Sequence, residues 1–158
     1  MRIGLIASPW IAVPPPRYGG SEAVIDNLAR GLQLAGHDVE LFTVGTSTCP
    51  VNRSWLYGEP VEPIGDSIYE SVHVEAAYRA LAHVDVIHDH THVGPLLGSS
   101  AAPVGVPVVT TMHGPFDAKS RQMYSRLPGR AHLICISHPQ RASAPEITPA
   151  HLQAAMEA

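Results

Sequence analysis

Two adjacent glycines at the start of a helical pattern are the first residues here that could do chemistry. Tyr18-Gly19-Gly20-Ser21-Glu22 closes a proline-rich loop and opens that pattern. A helix N-terminus presents unpaired N–H groups and positive partial charge, which attract phosphate or carboxylate. Paired glycines let a ligand approach the backbone closely. The segment is not a GxGxxG fingerprint and lacks the lysine of a P-loop. It therefore stands open between a plain turn before a helix and a loop facing an anion. Glu22 is equally an acid favoured in a first helical turn or a group that touches ligand.

His88-Asp89-His90-Thr91-His92 ends an apolar run. In an extended strand the three imidazoles share one face, which would suit zinc. No other Cys or His cluster supplies a fourth ligand, so no metal is expected. Two further readings remain: a strand end whose polar groups bond neighbouring loops, and a polar rim for a hydroxylated ligand. Position at the ligand-binding edge of a sheet favours the rim. In Thr110-Thr111-Met112-His113-Gly114-Pro115, His113 ends another apolar strand just before a Gly-Pro break. Its role is open between structure and function. Ile134-Cys135-Ile136-Ser137-His138-Pro139-Gln140-Arg141 reads as a strand and then a helix start, with Ser137 suited to be its cap. No G-x-S-x-G nucleophile elbow is present, and no pair of carboxylates stands out for glycoside hydrolysis.

These segments need elements to position them. Arg2 to Ser8 reads as a strand buried on both faces, and Pro9 to Gly20, with its three consecutive prolines, as a loop. Ser21 to Ala35 has helical spacing, with Val24, Leu28, Gly31 and Ala35 on one stripe, Ile25 and Leu32 beside it, and Gly36 as terminator. Val39 to Val44 is the second strand. Gly45 to Gly65 reads as irregular, with a short strand near Val61. Helices are expected over Ser67–His83, Val93–Ala101 and Asp117–Leu127, and strands over Val84–Asp89, Pro107–Met112 and Leu133–Ile136. Thr148-Pro149 opens a terminal helix to Glu157.

Alternating strands and helices argue an α/β, doubly wound, mainly parallel Rossmann-like sheet. Residues 1–145 form that domain and 146–158 a short helical tail. Ile3, Leu5, Val39, Leu41, Val86, Val108 and Ile134 are expected in the buried layer. Arg2, Asp38 and Asp85 belong at the edge opposite Gly20, His90 and His113.

A chain of 158 residues with 45% hydrophobic and 15% charged residues has a globular composition. Its net charge of −4, without a basic run, gives nucleic acid no electrostatic footing. No stretch is long and apolar enough to span a bilayer, and the N-terminus does not read as a secretory signal. Cys49 and Cys135 read as isolated core or loop residues rather than a disulfide, in keeping with a cytoplasmic location.

In order and spacing, four stretches together resemble the N-terminal half of family 4 glycosyltransferases. They are Pro14-Pro15-Pro16-Arg17-Tyr18-Gly19-Gly20-Ser21-Glu22, Asp85-Val86-Ile87-His88-Asp89-His90, Pro107-Val108-Val109-Thr110-Thr111-Met112-His113-Gly114, and Ile136-Ser137 with Gln140-Arg141. The resemblance implies one half of a GT-B fold, in which two Rossmann-like domains face a cleft. It implies retaining transfer from a nucleotide-diphosphate sugar, without a further cofactor and usually without a metal. Gly19 and Gly20 match the loop that nears the donor diphosphate and sugar. His113 matches a histidine beside the reacting groups. His90 matches a rim position, and Glu22 is placed with it as an acceptor or rim residue. The N-terminal domain holds the acceptor, a small molecule or glycan.

The family's donor motifs cannot be placed after Arg141. The sequence therefore reads as an acceptor-side domain, excised, truncated or split, that needs a donor-binding domain in cis or trans. Alone it is expected to fold, to bind nucleotide-sugar weakly or not at all, and to transfer no sugar. Its open cleft face could self-associate or be covered by the tail through Leu152, Ala155 and Met156. The alternative function is a stand-alone Rossmann-like binding or scaffold protein without catalysis.

Overall fold

Three prolines and two glycines after the first strand force a long excursion before the first helix, and the described residues beyond it alternate strand and helix except that two strands follow one another at 38–43 and 52–55. The computed structural model describes residues 1–101, 106–127, 131–147 and 152–154. The strands are β1 (Arg2–Ile6), β2 (Asp38–Thr43), β3 (Asn52–Trp55), β4 (Val86–Asp89), β5 (Val108–Met112), β6 (Ala131–Cys135) and β7 (Leu152–Ala154). The helices are α1 (Gly20–Leu34), α2 (Ser67–Ala80), α3 (Gly94–Ala101), α4 (Ala118–Tyr124) and α5 (His138–Ala142). The sheet order is β3-β2-β1-β4-β5-β6-β7, and every pairing is parallel. The order reverses between β1 and β4, and a crevice opens at such a switch point.

Strand alternation builds the two layers. Ile3 and Leu5 of β1 and Val39 and Leu41 of β2 pack with Ile25 and Ala29 of α1. Ile6 and Phe42 face the other way, onto Val74, Tyr78 and Leu81 in and after α2. The expected buried layer holds at Ile3, Leu5, Val39, Leu41 and Val108 but not at Val86 and Ile134, which are half-buried. There the pleat sends Ile87 and Leu133 inward instead. The buried side of α1 is also rotated from the expected stripe. It runs through Glu22, Ile25, Asp26 and Ala29, and Val24 is exposed. Asp26 tolerates this position because Arg30 Nε donates to its Oδ2 at 2.7 Å.

Local chemistry sets the helix ends. Gly36 takes φ +86°, and the His37 and Gly36 amides close back on Leu32 and Gln33, so α1 stops in a Schellman arrangement. Asp66, Asp117 and Ser137 cap α2, α4 and α5 through their side-chain oxygens.

Two segments differ from the sequence reading. The strand in the irregular region is Asn52–Trp55, beside β2, whereas the Val61 amide donates to the Pro9 carbonyl at 3.0 Å. The tail expected to be helical carries strand at Leu152–Ala154, in register with Leu133–Cys135. An open β6 edge offers a parallel partner, and pairing there satisfies backbone groups that a short helix would leave in water. The remainder of the expected helix, with Ala155 and Met156, lies outside the described residues.

Cys49 and Cys135 are both buried and unpaired with each other. Among the described residues no helix is long and apolar enough to cross a membrane.

Candidate active site

The sheet's two ends differ. At the N-terminal end, Arg2 pairs with Asp85 at 2.8 Å, and the Asp38 amide donates to the Met1 carbonyl. At the C-terminal end, Gly19, Gly20, Glu22, His90 and His113 all line one cleft of about 690 Å³. The edge assignment read from the sequence is thus the observed one.

The imidazoles meet through strand register. Asp89 of β4 lies level with Thr110 of β5, which puts His90 next to Thr111. His113 follows Thr111 by two residues, and residues two apart share a face. His90 Nδ1 and His113 Nε2 are consequently 2.8 Å apart. His88 stacks on His90 with ring centroids 4.1 Å apart, and its Nε2 lies 2.7 Å from Thr111 Oγ1.

Burial keeps all three rings neutral. It lowers the His88 pKa to about 4, helped by the neighbouring His113. It drives His90 well below the ordinary histidine value, with His88 and His113 adding to the effect. His113 is lowered by burial and then by His92. His90 Nε2 is buried without a partner.

His92 does not join the stack. Asp89 is fully buried and accepts from the Thr91 amide at 2.8 Å, Thr91 Oγ1 at 2.7 Å and Tyr78 Oη at 2.9 Å. These bonds tighten the turn after β4, so the chain leaves the extended state before His92, which is exposed. Among the described residues no group of three His, Cys, Asp or Glu side chains converges on a metal position.

The two glycines prove unequal. A Cβ on Gly19 would lie 2.7 Å from Pro15 Cβ and 2.8 Å from Glu22 Oε2, so packing explains that glycine. A Cβ on Gly20 would meet nothing within 4 Å. Glu22 is buried against the loop, where Ser8 Oγ donates to its Oε1 at 3.3 Å.

Sequence reasoning gave no role to two further residues. Gln140 Nε2 donates to the carbonyls of Met112 and Gly114 at 2.8 and 2.6 Å, and its Oε1 accepts from the Ile136 amide. It grips the backbone on both sides of His113. The residue was visible in the fourth motif, but nothing in its spacing told what it holds. Glu70, on α2, is buried in the cleft wall and accepts the His92 amide at 2.7 Å. Burial raises its pKa, partly offset by the His92 and Val93 amides. An acid in a helix normally reads as solvated surface, so the sequence carried no signal for it.

No curated protein matches this chain. Among solved structures, AviGT4, a glycosyltransferase involved in avilamycin A biosynthesis, is 26% identical with a TM-score of 0.55 over 91% of this chain and 39% of its own. Anabaena HepE, solved in complex with UDP and glucose, has a TM-score of 0.64 at 13% identity, over 98% of this chain and 44% of its own. The chain therefore spans about two fifths of the length of these structures. The model of Glycosyltransferase Family 4 matches residues 18–147, from the glycine loop through α5. That match takes in most of the sequence, with Gly19, Gly20, Glu22, His90 and His113 among the matched residues, and the chain is accordingly a member of glycosyltransferase family 4.

Proposed function

We propose that this chain forms the acceptor-side wall of a retaining, nucleotide-sugar-dependent glycosyltransferase and works with a donor-binding domain, in cis or in trans. The observation that carries the reading is the convergence of Gly20 and His113 on one cleft at the sheet's C-terminal edge. HepE holds UDP and glucose, which supports a nucleotide sugar as the donor here. The proposal needs no resident cofactor and no metal, and it gives the chain a cytoplasmic setting.

In this reading Gly20, with open space where a side chain would stand, lets donor phosphate reach the first amides of α1. His113 is held neutral, so it serves by hydrogen bonding sugar or acceptor hydroxyls rather than as a cation. A bare ring nitrogen is cheaper to leave unpaired than a buried N–H. His90 Nδ1 is therefore assigned as donor to His113 Nε2, and the orphan His90 Nε2 as the bare atom. Glu22 and His90 complete the rim. Departure of the diphosphate also needs charge stabilisation from the second domain. One helix terminus is worth roughly 0.3–1 kcal/mol to an anion, far short of that need.

A transfer assay with a panel of nucleotide sugars tests this, run on the chain alone and on the chain joined to a family donor-binding domain. Turnover only in the joined form is expected. Multiple turnovers by the chain alone, or none in either form, would overturn the proposal.

A further inference from the structure

The cleft joins polar and apolar lining. Glu70, His90 and His113 contribute buried or half-buried polar groups, while Trp10, Ile11 and Ile64 contribute apolar side chains that are half-buried or exposed. Ile64 is 68% exposed, a large apolar side chain left in water at the rim. The bond from the Val61 amide to the Pro9 carbonyl ties the segment carrying Ile64 to the one carrying Trp10 and Ile11. On α2, Ile68 and Val72 are also exposed, one helical turn apart. Contiguous exposed apolar surface bordering a polar pocket marks a binding site more often than chance exposure.

The charge of the lining is one-sided. No described residue lining the cleft is Lys or Arg, two of them are the acids Glu22 and Glu70, and of its three histidines burial keeps His90 and His113 uncharged while His92 is exposed. Arg17, next to the lining residue Tyr18, is exposed and lies outside the lining. The amides that open α1 at Gly20 are assigned to donor phosphate in the reading above, so an anionic acceptor would give up hydration without a counter-charge of its own.

We infer that the acceptor is an uncharged amphipathic molecule, with its hydroxylated end among Glu70, His90 and His113 and its apolar body against Trp10, Ile11 and Ile64. The inference rests on the acceptor-side reading above and narrows it to a substrate class.

The test uses this chain with three probes below their micellar concentrations: octyl β-glucoside, methyl β-glucoside and octyl β-glucuronide. Affinity is read by calorimetry and the contact residues by amide NMR shifts. Octyl β-glucoside should bind at least tenfold more tightly than either other probe and should shift Trp10, Ile11 and Ile64. The double variant Trp10→Ala with Ile64→Ser removes side chains at the open rim. It should keep the amide spectrum of the folded chain and lose the octyl advantage. Equal affinity for all three probes, preference for the glucuronide, no shift in the cleft, or an advantage surviving the double variant would each overturn the inference. Loss of sugar transfer in the joined-domain assay with octyl binding intact would instead remove the catalytic reading and leave the apolar site standing.

Discussion

His90 Nδ1 lies 2.8 Å from His113 Nε2, though 23 residues separate the two in sequence. The contact joins the ends of two adjacent strands and excludes protonation of both rings together, since two imidazolium rings at that distance would repel in a medium that desolvates them. Substituting either histidine therefore alters the other's surroundings. His113→Ala should lower turnover of the joined enzyme by tenfold or more while leaving the melting temperature within a few degrees. An unchanged kcat would assign His113 to structure alone.

The buried histidines make stability fall in acid. His73 and His88 titrate at about 4 in the folded chain, and His90 and His113 are also lowered. Their unfolded value is about 6.5. Between these limits the unfolded chain binds protons that the folded chain refuses, so stability is lost as pH drops from 6.5 towards 4. Asp89, raised to about 6 by burial, and Glu70, also raised, act in the opposite direction. Four imidazoles outweigh two carboxyls, and each net proton is worth about 1.4 kcal/mol per pH unit. Urea midpoints measured from pH 7 to 4.5 should decline, and a flat profile would contradict the burial assigned to these rings.

Gly19 and Gly20 should respond oppositely to alanine. Gly19→Ala places a methyl against Pro15 and Glu22 and should destabilise the chain by roughly 1–3 kcal/mol. Gly20→Ala enters open space and should leave stability unchanged or slightly raised. Gly20→Val should fold and yet raise the donor KM of the joined enzyme. Thermal melts of the alanine pair, with donor kinetics on the valine variant, check both halves of this expectation. Equal destabilisation at the two positions would remove the distinction.

Gln140→Ala deletes three hydrogen bonds to backbone around β5 and β6. A cost of about 1–2 kcal/mol follows, because two part-buried carbonyls and an exposed amide lose their partner. The His113 ring resonances should move although the substitution lies outside the ring's own strand. Gln140→Glu keeps an acceptor for Ile136 but loses the amide donor, so it should shift His113 as well. Unmoved His113 resonances in both variants would show that the grip does not position the ring.

Gly94→Ala is expected to be a severe substitution near the site. A Cβ there would overlap Asp89 Oδ2 and Thr91 Oγ1, which are already fixed by their own hydrogen bonds. A loss of about 3 kcal/mol or more is expected, or failure to fold. A melting temperature equal to the parent's would show that the turn after β4 is looser than its bonding indicates.

Local signals were enough for the alternation of strands and helices and for the shared edge of Gly20, His90 and His113. Apolar runs of strand length, the Pro14-Pro15-Pro16 break and Gly36 each act within a few residues of themselves, so one dimension suffices to read them. The parallel sheet followed because short strands separated by helices leave few other arrangements. What lay beyond reach depended on contacts made in space, most of them with partners distant in sequence. Nothing local marks Asn52–Trp55 as a strand; β2 beside it makes it one. Leu152–Ala154 has helix-compatible residues, and the open edge of β6 draws them into the sheet. The difference between Gly19 and Gly20 is set by Pro15 and Glu22, which crowd one glycine and not the other. His92 alternates correctly with His88 and His90 on paper, but the Asp89 carboxylate curls the chain before it gets there. Gln140 and Glu70 act on backbone more than 20 residues away. Tertiary packing alone decides such contacts, because a hydrogen bond depends on distance in space and a sequence records only distance along the chain.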